Sequence, residues 1–151
     1  MTALALRQAE ATDAPVIAEI HALSFDEPWS VESIAVLMAG PGGYGVIGRR
    51  DGEDVGFALF HCVPPESELL SVGVRPHLRR NGIAQAILRC AAADLAQRGA
   101  ATMFLDVAAD NHAAMALYRA LGFRDISRRP RYYRGKVDAI LMQAELSGIV
   151  A

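Results

Sequence analysis

The sequence has few cysteines and no long apolar run. Its 151 residues include two cysteines, Cys62 and Cys90, which are far apart and form no CxxC pair. We therefore predict neither a disulfide scaffold nor a metal site, and a reducing compartment is the default for such a chain. No segment approaches the ~18 apolar residues that a membrane-spanning helix needs. Residues 1–10 also lack the features of a signal peptide, so we expect a cytoplasmic protein with no membrane partner.

The excess of one charge sign is small. Fifteen Lys and Arg residues stand against seventeen Asp and Glu residues, giving a net charge of −2. This total does not suit a general nucleic-acid-binding protein, and we predict no such partner. The charges are unevenly distributed, because residues 1–70 hold eleven acidic and three basic side chains, whereas 71–151 hold six acidic and twelve basic ones. Length and an apolar fraction of 52% predict a single globular domain, 1–151.

Turn signals and apolar periodicity predict seven strands and four helices. Asp13 before Pro15, Ser30 and Asn111 are typical residues at helix starts, and Asp51-Gly52 is a strong hairpin signal. The predicted strands lie at about 4–9, 42–50, 54–63, 67–74, 102–107, 123–133 and 138–146. A long helix follows the loop Arg79-Arg80-Asn81-Gly82. This order mixes hairpins with strand–helix–strand crossovers, which implies a mixed sheet with helices on its faces.

The loop before the long helix carries the pattern Arg79-x-x-Gly82-x-Ala84. Unpaired N–H groups at a helix N-terminus bind phosphate, and arginine adds positive charge. The pattern is not a Walker loop, because no Gly-Lys-Ser/Thr follows, and it lacks the first glycine of a dinucleotide fingerprint. Alone it is also compatible with an ordinary loop that carries two solvated arginines.

A second pattern runs Asn111-x-x-Ala114-x-x-Leu117-Tyr118-x-x-Leu121-Gly122-Phe123. Alone it describes a capped amphipathic helix with a core tyrosine. Together, the two patterns resemble the acetyl-CoA-binding core of the Gcn5-related N-acetyltransferase (GNAT) superfamily. Pro28-Trp29-Ser30, the run 106–111 and the run 131–139 are similar to its ribosomal-protein-alanine N-acetyltransferase (RimI) branch. The resemblance implies an α/β fold of the α+β type: a mixed, mostly antiparallel sheet of about seven strands flanked by four helices.

The resemblance also implies site residues. It places the oxyanion donors on the backbone of the strand before the loop, where Gly73 indicates a bulge or a close backbone approach. Tyr118 matches the family tyrosine that protonates the departing thiolate, the alternative being a buried structural tyrosine. The residues assigned to cofactor binding are Leu70, Val72, Val74, Arg79, Arg80, Asn81, Gly82, Ile83, Ala84, Asn111 and Tyr118.

The base for the incoming amine is where this sequence departs from the branch, which has a glutamate where Asp106 stands here. An aspartate is one methylene shorter and needs a bridging water, or it is a plain strand-end carboxylate. Glu68 and Glu27 are the alternative bases. The resemblance further implies that Glu27, Trp29, Tyr132 and Tyr133 contact the acceptor, whereas each aromatic residue could equally fill core.

The implied activity is direct transfer of an acetyl group from acetyl-CoA to an amine in a ternary complex. An α-amine of pKa ~7.8 is far more often neutral at pH 7.5 than a lysine amine of pKa ~10.4, a difference of about 3.5 kcal/mol in deprotonation. A base that is poorly positioned, such as Asp106, therefore favours an N-terminal α-amine as acceptor, for example that of a ribosomal protein. The alternatives are a small-molecule amine or lysine as acceptor, or a non-catalytic acyl-CoA-binding module. We expect a monomer or homodimer, and we interpret the four histidines as structural or surface residues.

Overall fold

The computed structural model describes residues 3–133 and 135–150, and in them seven strands and five α-helices. The strands are β1 (Ala5–Gln8), β2 (Gly43–Arg50), β3 (Glu53–Val63), β4 (Glu66–Val74), β5 (Thr102–Ala108), β6 (Arg124–Tyr133) and β7 (Val137–Glu145). The helices are α1 (Ala14–Ser24), α2 (Val31–Ala39), α3 (Ile83–Gln97), α4 (His112–Ala120) and α5 (Leu146–Val150). No helix within these residues is long and apolar enough to cross a membrane.

The strands form one sheet in the order β1-β2-β3-β4-β5-β7-β6. β4 and β5 are parallel, whereas the other neighbours are antiparallel. This confirms the mixed, mostly antiparallel sheet. The helix α3 forms the crossover that a parallel pair requires.

Local signals set several element ends as predicted. The Ser30 hydroxyl accepts from the backbone N–H of Ser33 at 3.1 Å, and Asn111 caps α4 in the same way. Asp51 and Gly52 both adopt positive φ, 53° and 77°, which is the backbone of a type I′ hairpin turn.

Two expectations about helices were wrong. Asp13 does not cap α1 with its side chain, because its carboxylate accepts from both terminal nitrogens of Arg7 and from the backbone N–H of Glu10. The expected number of four helices was also wrong, because a fifth, the five-residue helix α5, directly continues β7. It forms because Leu146 and Ile149, three residues apart, both reach the core.

Apolar side chains form two clusters on opposite faces of the sheet. The larger one joins α3, α4 and α5 to the sheet around Val46, Phe60 and Met103. The smaller one joins α1 and α2 to Ile47 and Phe57. Because side chains alternate along a strand, each strand at the middle of the sheet contributes side chains to both clusters. Below, the face covered by α1 and α2 is called the α1–α2 face.

Candidate active site

A cleft opens between β4 and β5. Their parallel pairing ends at Glu68 opposite Phe104. Beyond this point, β4 stays paired with β3 as far as Val74, and β5 stays paired with β7 as far as Ala108. The two strands therefore separate towards their carboxyl ends, which is where open α/β sheets bind ligands.

β4 contains a β-bulge at the start of the cleft. Leu69 lies opposite Phe60 and Ser71 lies opposite Leu59, so Leu70 is the extra residue. A bulge disrupts the ladder locally and leaves its extra residue unpaired. The bulge lies within the backbone stretch in which the sequence analysis placed the oxyanion donors, although no glycine or proline marks it.

Gly73, three residues later, marks a close approach. A Cβ atom there would lie 2.7 Å from the ring of Phe57. The side chains of Val72 and Val74 pack against the larger cluster. Of these two predicted cofactor residues, only the backbone groups can therefore contact a ligand in the cleft.

The loop before α3 has the backbone of an anion site. Arg80 and Gly82 adopt φ of 67° and 75°, in the left-handed region. Gly82 is the N-cap of α3 and offers no side-chain cap, so the first N–H groups of the helix remain unpaired. A Cβ on Gly82 would meet nothing within 4 Å, which leaves the approach to these N–H groups open. The loop therefore suits an anionic group such as a phosphate.

The two arginines of the loop differ in what they contact. The Arg79 side chain turns back, with Nε donating to the carbonyl of Val74 at 3.2 Å and Nη2 to the hydroxyl of Ser24 at 3.3 Å. Arg80 is exposed and, within the described part of the chain, has no hydrogen-bond or ion-pair partner. Asn81 donates to the carbonyl of Arg79 at 3.3 Å. Arg80 is thus the available cation, whereas Arg79 and Asn81 hold the loop in shape.

Three further predicted cofactor residues have structural positions. Ile83 is buried in the larger cluster, so its backbone N–H is the group that remains for a ligand. Ala84 is half-buried against the same cluster. The Asn111 side chain accepts from the N–H of Ala114 at 3.2 Å as the cap of α4.

Tyr118 lies on the buried side of α4. Its ring packs edge-on against Phe123, with centroids 5.8 Å apart. Burial, and then the nearby Tyr133, raise its pKa to about 12. No described group hydrogen-bonds to the hydroxyl. The side chain therefore stays protonated at neutral pH and is available to donate a proton.

Asp106 lies on β5, and the residues on either side of it belong to the larger cluster. Because side chains alternate along a strand, the Asp106 side chain lies on the opposite, α1–α2 face. Its Oδ1 atom is buried, and no described residue hydrogen-bonds to it. The Ser71 hydroxyl, next to the bulge, is buried and unpartnered in the same sense. Such atoms are rare, because a buried polar group without a partner destabilises the fold. Sequence reasoning missed Ser71, since nothing distinguishes it from an ordinary strand serine.

Tyr133 connects the two proposed catalytic residues electrostatically. Burial, then the charge of Asp106 and then Tyr132, raise its pKa to about 12. Tyr133 in turn raises the pKa of Tyr118. Tyr132 packs perpendicular to Tyr133 at 5.1 Å and is half exposed. Tyr133 is therefore close enough to interact electrostatically with both Asp106 and Tyr118, which lie far apart in the sequence.

A groove of about 410 Å³ lies beside Asp106. Glu66 and Glu68 line it from β4, and His61 lines it from β3. Arg129 lines it from β6, with its guanidinium 5.3 Å from the ring centre of Tyr132. The alternative base Glu68 thus shares the groove with Asp106. His61 and Arg129 were not predicted from the sequence, because they reach the groove only through the pairing of their strands.

Glu27 and Trp29 lie elsewhere, in the segment 25–30 between α1 and α2. This segment is called the α1–α2 connection. Glu27 is exposed and does not line the groove of Asp106. The ring of Trp29 stacks on His21 at 4.8 Å, and the Trp29 backbone N–H donates to His21 Nδ1 at 3.2 Å.

The remaining candidate ligands are dispersed. Burial raises the pKa of both Cys62 and Cys90, which disfavours the thiolate. Over residues 3–133 and 135–150, no three histidine, cysteine or acidic side chains are grouped to hold a metal.

Comparison with known proteins places this geometry in a family. Residues 14–123 match the model of the Acetyltransferase (GNAT) family. The ribosomal protein bS18-alanine N-acetyltransferase of Escherichia coli K12 is 34% identical over 91% of this chain and 95% of its own length. The N-alpha-acetyltransferase RimI of Mycobacterium tuberculosis is 36% identical over 88% of this chain and 87% of its own.

Solved structures agree. The ribosomal-protein-S18-alanine N-acetyltransferase from Escherichia coli superimposes with a TM-score of 0.88 at 32% identity, covering 95% of this chain and 94% of that one. Arabidopsis thaliana NAA60 in complex with acetyl-CoA has a TM-score of 0.84 at 20% identity over 96% and 99%, which shows a shared fold. Family model, relatives and fold together establish that the chain belongs to the GNAT family of acetyl-CoA-dependent acetyltransferases.

Proposed function

We propose that this enzyme transfers the acetyl group of acetyl-CoA to the N-terminal α-amine of a ribosomal protein that begins with alanine. The observation that carries the proposal is the electrostatic interaction of Tyr133 with both Asp106 and Tyr118, with Asp106 on the part of β5 that has separated from β4. Support for the acceptor comes from relatives at 34–36% identity that are named as a ribosomal protein bS18-alanine N-acetyltransferase and an N-alpha-acetyltransferase.

The cofactor side of the site consists of the loop before α3. Arg80 and the unpaired N–H groups after Gly82 would hold the pyrophosphate. Bound acetyl-CoA supplies the thioester that donates the acetyl group. Backbone N–H groups near the bulge at Leu70 would stabilise negative charge on the thioester oxygen.

The proton transfers fall to two side chains. Asp106, with its buried and unpartnered Oδ1, would accept the proton of the incoming ammonium, directly or through a water that Ser71 also contacts. Tyr118 would donate its phenolic proton to the departing thiolate. With a pKa of about 12 against ~8.5 for a thiol, complete transfer from Tyr118 is uphill, so the hydroxyl acts mainly by hydrogen bonding to the sulfur as charge develops.

An α-amine suits this arrangement better than a lysine amine. The ~3.5 kcal/mol difference in their deprotonation at pH 7.5 would have to come from the base. An aspartate carboxylate is in general a weak base. The proposal therefore assigns the easier amine to it.

Acetyl-CoA turnover with matched acceptors tests the proposal. The set comprises an N-terminal alanine peptide, the same peptide with a blocked terminus and an added lysine, and a polyamine. Thiol release gives the rate, and mass spectrometry locates the acetyl group. Acetylation of the alanine terminus supports the proposal. Turnover of only the blocked peptide or only the polyamine would establish the lysine or small-molecule alternative, and acetyl-CoA binding without any turnover would establish a non-catalytic module.

A further inference from the structure

The end of α1 carries an aromatic stack that the chemistry of the cleft does not use. The His21 ring lies between Phe25 and Trp29, with centroids 4.4 Å and 4.8 Å apart and planes within about 30° of parallel. His21 is 2% exposed, whereas Phe25 is 41% and Trp29 is 36% exposed. The histidine is thus the covered middle ring of a sandwich whose outer rings reach the surface.

His21 also fixes the backbone of the α1–α2 connection at two points. Its carbonyl accepts from the N–H of Phe25 at 3.0 Å, and its Nδ1 accepts from the N–H of Trp29 at 3.2 Å. Because Nδ1 is an acceptor, the neutral ring carries its proton on Nε2. Burial lowers the pKa of His21, which favours this neutral form.

The stack lies on the same face of the sheet as Asp106. The His21 ring is 6.0 Å from that of Phe57, a residue of the cluster under α1 and α2. Phe57 pairs with Gly73, and a Cβ on Gly73 would lie 3.1 Å from the hydroxyl of Ser24. The end of α1 therefore lies over the carboxyl end of β4, beside the cleft.

Exposed apolar side chains concentrate at this point. Leu23, Phe25, Trp29 and Val31 are each 36–48% exposed and lie within nine residues of the sequence. Such groups mark interaction sites when they form a contiguous patch. A rigid aromatic surface next to a cleft suits an extended polypeptide that enters the cleft by its end.

We infer that His21 is a positioning residue for the acceptor: it holds the α1–α2 connection so that Phe25 and Trp29 contact the acceptor chain beyond its acetylated residue. The inference rests on the proposed function, because it requires an acceptor that is a polypeptide. It assigns no proton transfer to His21.

The first test does not depend on turnover. Trp29 is the single tryptophan of the chain, so fluorescence excited selectively at tryptophan reports on the surroundings of this one ring. In His21→Ala, we expect emission at longer wavelength and stronger quenching by acrylamide. His21→Phe keeps the stack and removes the acceptor, and His21→Asn keeps an acceptor at the δ position and removes the stack. Both should lie between wild type and alanine.

The second test separates positioning from general stability. We expect His21→Ala to raise the KM for an N-terminal alanine peptide about tenfold, with kcat and the KM for acetyl-CoA within about twofold. Ile20→Val, a neighbouring core change on α1, is the matched control and should lower Tm without changing the peptide KM. The Phe and Asn variants should restore part of the peptide KM.

Wild-type emission and wild-type peptide KM in His21→Ala would overturn the inference. The inference would also be overturned if His21→Ala raised the KM for both substrates equally and Ile20→Val, at a matched Tm, raised them in the same way. If the wild-type enzyme acetylates a polyamine but no peptide, the proposed function fails and the acceptor role of His21 fails with it. If the wild type acetylates the peptide and His21→Ala changes only Trp29 emission, the proposed function stands and the inference about the acceptor fails.

Discussion

Replacement of Asp106 by asparagine separates a catalytic role from a structural one, because the two roles predict different changes in stability. The Oδ1 atom is buried and accepts no hydrogen bond from the described residues. A buried acceptor without a partner destabilises the native state by about 1–3 kcal/mol. The native enzyme therefore bears a cost at this position that a functional group would explain.

The stability of Asp106→Asn should equal or exceed that of the wild type. Because only one oxygen of the carboxylate is buried, we expect a Tm rise of no more than about 3 °C for a chain of this length. The substitution also removes the charge that raises the pKa of Tyr133, so that pKa should fall. A carboxylate with a purely structural role would instead lower Tm when replaced.

Activity should fall while stability does not. Loss of a general base typically reduces rate about 10²- to 10⁴-fold, and we expect about 100-fold in kcat/KM at pH 7. An α-amine of pKa ~7.8 is about 14% neutral at pH 7 and about 94% neutral at pH 9. Without a base, the enzyme must bind the neutral amine from solution, so the deficit should shrink about sevenfold between these two pH values.

The assay is thiol release with an N-terminal alanine peptide at pH 7 and pH 9, together with thermal unfolding of each variant. Glu68→Gln is the matched control, because Glu68 lines the same groove, and it should retain activity within about threefold. Asp106→Glu should retain most activity. The assignment is refuted if Asp106→Asn keeps wild-type kcat/KM, if its deficit is the same at both pH values, or if Glu68→Gln is the more impaired variant.

Four further outcomes follow from the structure. Arg80→Ala should raise the Kd for acetyl-CoA about tenfold by calorimetry, whereas Arg79→Ala should affect it less and lower Tm. Tyr118→Phe should lower kcat about 100-fold with an unchanged KM for acetyl-CoA, because its ring still packs against the core. Asp13→Asn should destabilise by about 1–2 kcal/mol at pH 7. The hydrogen bond with Arg7 lowers the pKa of Asp13 from 3.8. The difference in unfolding free energy between wild type and Asp13→Asn, measured by chemical denaturation, should therefore shrink and vanish as the pH falls below 3.8 and through the lowered pKa. Finally, the KM for a cationic acceptor peptide should rise with ionic strength, and a KM independent of salt would refute electrostatic attraction.

Features that depend on neighbouring residues were predictable from the sequence. The caps at Ser30 and Asn111 and the turn at Asp51-Gly52 each involve hydrogen bonds or dihedral angles within four residues. Gly82 was recognisable for the same reason, since its left-handed conformation is a local requirement of the loop. Such features are encoded by residue type at fixed spacing.

Features that depend on distant partners were not predictable. The bulge at Leu70 arises from the register of β4 against β3, and no residue in the strand requires it. Asp13 looks like a helix cap, but Arg7 on β1 and the backbone of Glu10 take its carboxylate. Arg79 looks like a phosphate ligand, but Ser24 lies within reach only after α1 has packed over β4. For Asp13 and Arg79, tertiary structure decides which of two competing partners the polar group takes.

The uneven distribution of charge along the chain corresponds to two oppositely charged regions on either side of the bulge. Glu66 and Glu68 precede the bulge on β4 and line the groove beside Asp106. The same strand then leads into the loop that carries Arg80, where basic residues begin to predominate. A single strand therefore runs from an acidic groove, which suits an ammonium group, to a basic loop, which suits phosphates. Arg129 is the exception in the groove, and its position over Tyr132 places the cation at an aromatic face. A net charge near zero thus conceals two local fields of opposite sign, one for each proposed substrate.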